Sequence, residues 1–299
     1  MTSILSVART WADMVKLSHS VFALPFALIA AFLAGRGIED RGWPHLGQLV
    51  LIVICMVSGR SFAMTFNRIV DAQIDAGNPR TASRPLPAGR LTFLAAWIML
   101  LLSACTFGLG SLGFHLFYGN TWPILFSGPV LIYLGAYSFT KRFTKWSHYY
   151  LGSAIALAPV AAWVAIDPDT LGLPAWLLMA TVTFWIAGFD IIYSCQDLEV
   201  DRRDDLYSLP SRLGPVAALR IARVSHVLTV LGLIALGSAA NLGWIYAIGV
   251  VLAAVLLTIE NALVRPGDYR RVTVAFFTMN GLVSLVLAAA AITDIFVSA

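Results

Sequence analysis

Asn67-Arg-Ile-Val-Asp71-Ala-Gln-Ile-Asp75 closes a long apolar run, and Asp190-Ile-Ile-Tyr-Ser-Cys-Gln-Asp197-Leu-Glu-Val-Asp201 closes another. Four-residue spacing predicts Asn67, Asp71 and Asp75 on successive turns of one helix face, and Asp197 with Asp201 on one face of a second helix. Carboxylates stacked in this way repel one another unless a cation or an arginine answers them. The pattern therefore implies a partner, and a divided site for Mg²⁺ and diphosphate fits it.

Outward from these segments the chain is charge-poor. Of its 299 residues, 59% are apolar and 12% charged, with a mean hydropathy of +0.80, outside the range of a soluble globular domain. Apolar runs long enough to cross about 30 Å of hydrocarbon recur throughout. We read nine spans, near 19–36, 46–66, 91–112, 121–139, 149–166, 171–193, 215–238, 242–263 and 273–293. The predicted fold class is all-α: a polytopic bundle of nine transmembrane helices around a central cavity open to the cytoplasmic side. Residues 1–299 are read as a single membrane domain.

Basic residues orient the spans. Arg80, Arg84 and Arg90, then Lys141, Arg142 and Lys145, then Arg202, Arg203 and Arg212, then Arg265, Arg270 and Arg271 follow the even-numbered spans, whereas the connections after spans 3, 5 and 7 carry none. The positive-inside rule then puts the amino terminus and both acidic clusters on the cytoplasmic side and the carboxyl terminus outside; a cell inner membrane is the expected location. The net charge of +4 reads as a topology signal, and no basic patch calls for a nucleic-acid partner. Residues 2–17 read as an amphipathic interfacial helix rather than a cleavable signal. Cys55, Cys105 and Cys195 lack metal or disulfide spacing; the first two read as small buried side chains, and Cys195 as a neighbour of the second cluster.

Each cluster precedes a short basic, proline-containing loop. Arg80 and Arg84 can turn back over the first carboxylates where Gly and Pro break the helix. Asp71 to Asp197 and Asp75 to Asp201 are each 126 residues apart, the mark of two pseudo-repeated halves with motifs near 67–90 and 188–214. Mg²⁺ uses few protein carboxylates and completes its shell with water or phosphate oxygens, so two clusters holding one ion each can grip one diphosphate. No GxxxxGK[ST] and no GxGxxG after a strand occurs, which argues against a nucleotide cradle.

Four ordered motifs resemble the UbiA family of intramembrane prenyltransferases: Asn67-x₃-Asp71-x₃-Asp75, Arg80-Thr-x₂-Arg84-Pro-Leu-x₂-Gly89, Tyr137-x₃-Lys141-Arg142-x-Thr144 and Gly188-x-Asp190-x₂-Tyr193-x₃-Asp197-x₃-Asp201. The resemblance implies transfer of a polyprenyl group from its diphosphate to an acceptor, commonly an aromatic ring, within nine helices and with Mg²⁺. It assigns one Mg²⁺ to Asp71 and Asp75 and another to Asp197 and Asp201. Asn67 and Asp190 support them, and Arg80, Arg84, Lys141 and Arg142 face the diphosphate. One departure is Arg68, where many members carry Asp; a phosphate ligand, a partner for an acceptor carboxylate and a snorkelling arginine all fit it.

The stretches 16–25 and 141–148 resemble those of 4-hydroxybenzoate polyprenyltransferases of quinone biosynthesis. A basic residue would anchor the acceptor carboxylate; Lys16, Arg68 and Lys145 are the candidates, with His19 and His148 as hydrogen-bonding groups or plain surface residues. Tyr193, Tyr137, Phe62, Phe66, Trp185 and Phe189 are candidates to line the cavity and stabilise positive charge through their ring faces. Rival acceptors are a menaquinone-pathway aromatic, haem or a lipid. A secondary transporter is the non-enzymatic alternative.

Overall fold

The computed structural model describes residues 4–15, 22–38 and 42–297, and among them it is built of helices. In chain order these are α1 (Ile4–Val15), α2 (Leu24–Gly35), α3 (Leu46–Val70), α4 (Ala72–Gly77), α5 (Phe93–Tyr118), α6 (Trp122–Thr140) and α7 (Ser147–Ile166). There follow α8 (Leu173–Ser194), α9 (Leu198–Arg203), α10 (Leu209–Leu213), α11 (Pro215–Ala239), α12 (Trp244–Leu263), α13 (Val272–Val274), a π turn (Ala275–Met279) and α14 (Asn280–Val297).

Eight of the described helical stretches are long and apolar enough to cross a membrane. The span expected at 19–36 is present as the 12-residue apolar helix α2, and the start of that expected span lies outside the described residues. The chain is thus an all-helical polytopic membrane protein, with helix ends close to those read from hydropathy except at α5, which runs on to Tyr118 where the reading stopped at 112. Leu94, Leu101, Leu116, Ile132 and Val251 are exposed, as helix faces that meet lipid should be.

Two compact units divide the chain. One comprises α1 and Val50–Phe139; the other comprises α2 with the residues up to Leu49, and everything from Thr140 onward. In the first, α1 buries Met14 and Val15 against Leu86, Leu91 and Ala96, while Trp11 Nε1 donates to Thr65 Oγ1 at 2.9 Å. The apolar face of this amphipathic helix therefore covers protein. Cys105 is exposed, against expectation, because it falls on an outward face of α5.

In the second unit α8 packs between α7 and α11, and α12 packs on α14. Small residues allow the close approach on which helix pairs in lipid depend. A Cβ on Gly152 of α7 would lie 2.5 Å from the Thr183 carbonyl oxygen, and one on Gly188 of α8 would overlap the His226 ring of α11. The far end of α12 is closed by a side chain. Asp294 of α14, 1% exposed, accepts from the backbone N–H groups of Gly243 (2.5 Å), Ile245 (3.2 Å) and Tyr246 (3.2 Å). A carboxylate here answers both the unpaired amides and the positive end of the helix dipole.

Candidate active site

α3 ends where the first carboxylate cluster begins. Asp71 departs from helical geometry (φ −95°, ψ 4°), yet its N–H still reaches the Asn67 carbonyl at 2.9 Å, and the Asp75 N–H reaches the Asp71 carbonyl at 2.8 Å. The i to i+4 relation that the sequence implies thus survives a break in the regular helix. Asn67, Asp71 and Asp75 are all buried. Asn67 Nδ2 donates to Asp71 Oδ2 at 2.8 Å, and Arg68 Nη1 donates to Asn67 Oδ1 at 3.1 Å.

The following loop folds back for identifiable reasons. Thr81 Oγ1 donates to the Asp75 carbonyl at 3.0 Å, and the Asn78 side chain accepts from the Arg80 N–H at 2.9 Å. That turn carries Arg84 over the cluster, where its Nη1 lies 2.7 Å from each Asp75 carboxylate oxygen. Arg84 thus does what the loop's composition implies, while Arg80 extends to an exposed position.

A residue that the sequence reading passed over joins this unit. Arg60 sits within the membrane-spanning part of α3, with its buried Nε lacking a partner among the described residues, and it is within electrostatic range of Tyr137 and Arg68. An arginine at bilayer depth costs about 3 kcal/mol or more and almost always faces a polar interior. Its signal was present in the sequence, as one basic residue inside the apolar run of span 2. Phe62 and Phe66 stack at 6.1 Å on the same helix.

The second cluster repeats the local design. α8 gives way to a 3₁₀ turn over Cys195–Asp197; Asp197 has φ −98° and ψ 7°, and the six-residue α9 follows with Asp201 in its first turn. Asp190, Asp197 and Asp201 are half-buried. The Leu206 N–H captures the Asp201 carbonyl at 2.7 Å.

The loop after α9 is stitched to the segment before α7. Tyr207 N–H donates to the Lys141 carbonyl at 2.7 Å, and Ser147 Oγ donates to the Tyr207 carbonyl at 3.3 Å. This brings Lys141 into electrostatic range of Asp201. Arg212 lies over the Tyr207 ring at 3.6 Å and pairs with the exposed Asp205 at 2.6 Å.

His148 is no surface group. It is 4% exposed, and its Nε2 accepts from the Leu209 N–H at 3.2 Å. The proton therefore sits on Nδ1, which donates to Asp190 Oδ2 at 2.7 Å; the backbone bond selects the tautomer. Tyr193 packs on Phe276 with ring centroids 4.3 Å apart. Trp185 and Phe189 are buried with centroids 5.2 Å apart.

Other expectations are placed as follows. Lys16 and His19 lie outside the described residues. Arg142 is half-buried in the connection between α6 and α7, and Lys145 holds its ammonium 5.7 Å from the Trp146 ring centre. Cys195 turns into the packing around Leu209 and Ala218, with its thiol 3.5 Å from the Ile191 carbonyl.

Among the described residues no group of three or more His, Cys, Asp or Glu could hold a metal ion. The donor set nonetheless fits Mg²⁺, because each cluster offers hard carboxylate oxygens in the small number that this ion takes when phosphate completes its shell.

Apolar helices long enough to span a membrane, two of them breaking at paired aspartates, define a polytopic membrane protein with polar clusters at its helix ends. Residues 23–282 match the UbiA prenyltransferase family, and the chain belongs to it. A UbiA homologue from Aeropyrum pernix superposes with a TM-score of 0.81 at 30% identity, covering 93% of this chain and 98% of that one. The 4-hydroxybenzoate octaprenyltransferase of Aliivibrio fischeri is 30% identical over 293 residues, 95% of this chain and 98% of that protein. The enzyme of the same name from Nitrosospira multiformis is 30% identical over 249 residues, 83% of each. A UbiA homologue from Archaeoglobus fulgidus bound to GPP and Mg²⁺, 17% identical, shares the fold with a TM-score of 0.69, covering 96% of this chain and 99% of that one. This chain is a prenyltransferase.

Proposed function

We propose that the enzyme prenylates a small hydroxylated benzoate, 4-hydroxybenzoate above all, using a polyprenyl diphosphate and two Mg²⁺ ions, in quinone biosynthesis at a cell inner membrane. The observation that carries this reading is the repeated helix break. Asp71 and Asp197 adopt nearly the same backbone angles, and each is followed by a six-residue helix bearing a second aspartate.

In this reading the two aspartate pairs act on one diphosphate, Asp71 and Asp75 through one ion, Asp197 and Asp201 through the other. When bound, Mg²⁺ supplies charge neutralisation that makes diphosphate a better leaving group. Asn67 orients Asp71 through its amide. Arg84, Lys141 and Arg142 take the remaining phosphate charge, with Arg84 exchanging an Asp75 oxygen for a phosphate oxygen. Arg80 approaches from the exposed side of the loop.

The allylic C–O bond breaks and its electron pair leaves with diphosphate. The ring carbon beside the phenol supplies the pair for the new C–C bond, and the proton on that carbon is then lost. Asp190 is the proton acceptor we assign, because His148 holds one of its oxygens and fixes the carboxylate's orientation. Tyr193 and Tyr137 face the developing positive charge. An apolar chamber prevents water from capturing the cation.

Arg60 and Arg68 are the acceptor's anchor. A benzoate carboxylate would give the buried, unpartnered Arg60 Nε a partner, which favours Arg60 over Lys145, whose ammonium already lies over Trp146; Arg68 beside it already faces Asp75 and Asp71. Loops with lysine and arginine on one side support a cytoplasmic site with the amino terminus inside and the carboxyl terminus outside.

The test is a membrane assay offering farnesyl diphosphate with 4-hydroxybenzoate, with and without EDTA, read by mass spectrometry. Prenylated 4-hydroxybenzoate that vanishes with EDTA and returns with Mg²⁺ is expected. Product from a carboxylate-free phenol at equal efficiency would remove the benzoate assignment.

A further inference from the structure

A buried polar knot joins α8, α12 and α14, and none of the chemistry above uses it. Glu260 and Asn280 are each fully buried. Trp185 Nε1 donates to Asn280 Oδ1 at 2.7 Å, and Asn280 Nδ2 donates to Glu260 Oε1 at 2.8 Å. The same amide nitrogen lies 3.2 Å from the Ala275 carbonyl oxygen and 3.1 Å from that of Phe276. Glu260 Oε2 is buried without a hydrogen bond among the described residues.

Polar side chains at this depth are costly, and leucine or methionine would fill the same space without that cost. What polar groups add is a single allowed arrangement. Here they hold the π turn, which widens the helix and leaves carbonyls off the regular ladder. The Asn280 amide takes up two of those carbonyls and ties the turn to Trp185, less than two turns of α8 before Asp190.

The turn in its place presents two aromatic residues. Phe276 lies 4.3 Å from Tyr193, 5.0 Å from Phe189 and 5.8 Å from Phe22 between ring centroids; Phe277 lies 4.7 Å from Phe276. Tyr193 and Phe189 flank Asp190 on α8. An ordinary helical turn over 275–279 would rotate the residues on one side of it by a large fraction of a turn and remove Phe276 from Tyr193.

We propose that Asn280, backed by Glu260, is a positioning residue for prenyl transfer, fixing the π turn so that Phe276 and Tyr193 form one aromatic wall beside Asp190. This rests on the prenyl-cation chemistry proposed above. Glu260 serves as a hydrogen-bond acceptor, a role that the amide oxygen of glutamine fills equally.

The full-length enzyme in nanodiscs is assayed for kcat with farnesyl diphosphate and 4-hydroxybenzoate, and for Kd with farnesyl thiolodiphosphate, which binds without ionising. Asn280→Ala is expected to lower kcat by about 10- to 100-fold, as small misplacements near reacting groups do, while Kd stays within about threefold. Glu260→Gln should keep kcat within about twofold, and Glu260→Leu should behave like Asn280→Ala.

The proposal is overturned if Asn280→Ala keeps wild-type kcat, if its kcat loss only tracks the fraction folded, or if Glu260→Gln is as damaging as Glu260→Leu. Should Asn280→Ala fail to fold, Phe276→Leu decides: a kcat loss with unchanged Kd supports the wall, and wild-type kcat refutes it. Wild-type enzyme that binds no thiolodiphosphate would instead strike at the donor reading itself.

Discussion

The two carboxylate-bearing segments share a backbone and differ in what surrounds it. In both, a long helix is interrupted at an aspartate, a six-residue helix carries the next aspartate, and the loop beyond seizes that residue's carbonyl. The first set is buried and already answered, with Asn67 on Asp71 and Arg84 on both oxygens of Asp75. The second set is half-buried, with His148 on Asp190 and Ser208 and Lys141 beside Asp201. A shared break with unequal burial teaches that each segment meets its own desolvation cost with its own partners.

The sharpest way to break this comparison is to remove one aspartate at a time. Asp71→Ala and Asp197→Ala should each lower product formation by about 10³-fold or more, since each removes charge compensation at the leaving group. Normal turnover in either variant would mean that only one segment is functional. Gel filtration checks that both variants remain folded.

Arg84→Gln probes the inequality. It strips the partner from the buried Asp75, and we expect a loss of about 1–3 kcal/mol of stability, below the usual cost of breaking a buried pair because Arg84 is partly exposed. Thermal unfolding in detergent reads this directly. Activity should fall by about 10- to 100-fold, mainly through the KM for the diphosphate. If the melting temperature is unmoved, the first cluster is not compensated in the manner described.

His148→Ala separates the second segment from the first. It frees Asp190 to rotate, and kcat should fall about tenfold with little change in the donor KM, consistent with loss of one orienting hydrogen bond. His148→Gln should recover part of that loss if its amide still reaches Asp190. A changed donor KM would move His148 from orientation to binding.

The smallest effect belongs to an exposed pair. Hydrogen bonds from Arg270 hold the Asp268 carboxyl down to about 2, yet both groups are solvent-exposed in the loop before α13. Asp268→Asn should therefore leave turnover and melting temperature unchanged within error above pH 4. A measurable loss would show that this loop contributes to the second segment.

Much of the fold was legible because hydropathy is local. Each span boundary depends on a run of neighbouring residues, so α6, α7, α8, α11 and α12 begin and end close to where composition placed them. The paired aspartates were legible for a similar reason, since a spacing of four is a property of one helix. The hidden elements depend on partners far along the chain. Nothing near His148 announces Asp190, nothing near Asp294 announces the amides of Gly243 and Tyr246, and the π turn before Asn280 has no distinct residue pattern. Glu260 and Arg60 stood in plain view as single charges in apolar runs, and their importance follows only from what surrounds them: Glu260 is fully buried and the Arg60 Nε is buried without a partner among the described residues.

Asp294 has an implication for how the chain is assembled. Until the last helix enters the bilayer, the amides at the head of α12 have no partner of their own there, so that helix is completed by a residue synthesised some fifty positions later. A chain released just short of this carboxylate would leave α12 with an unsealed end, a natural mark for membrane quality control to detect.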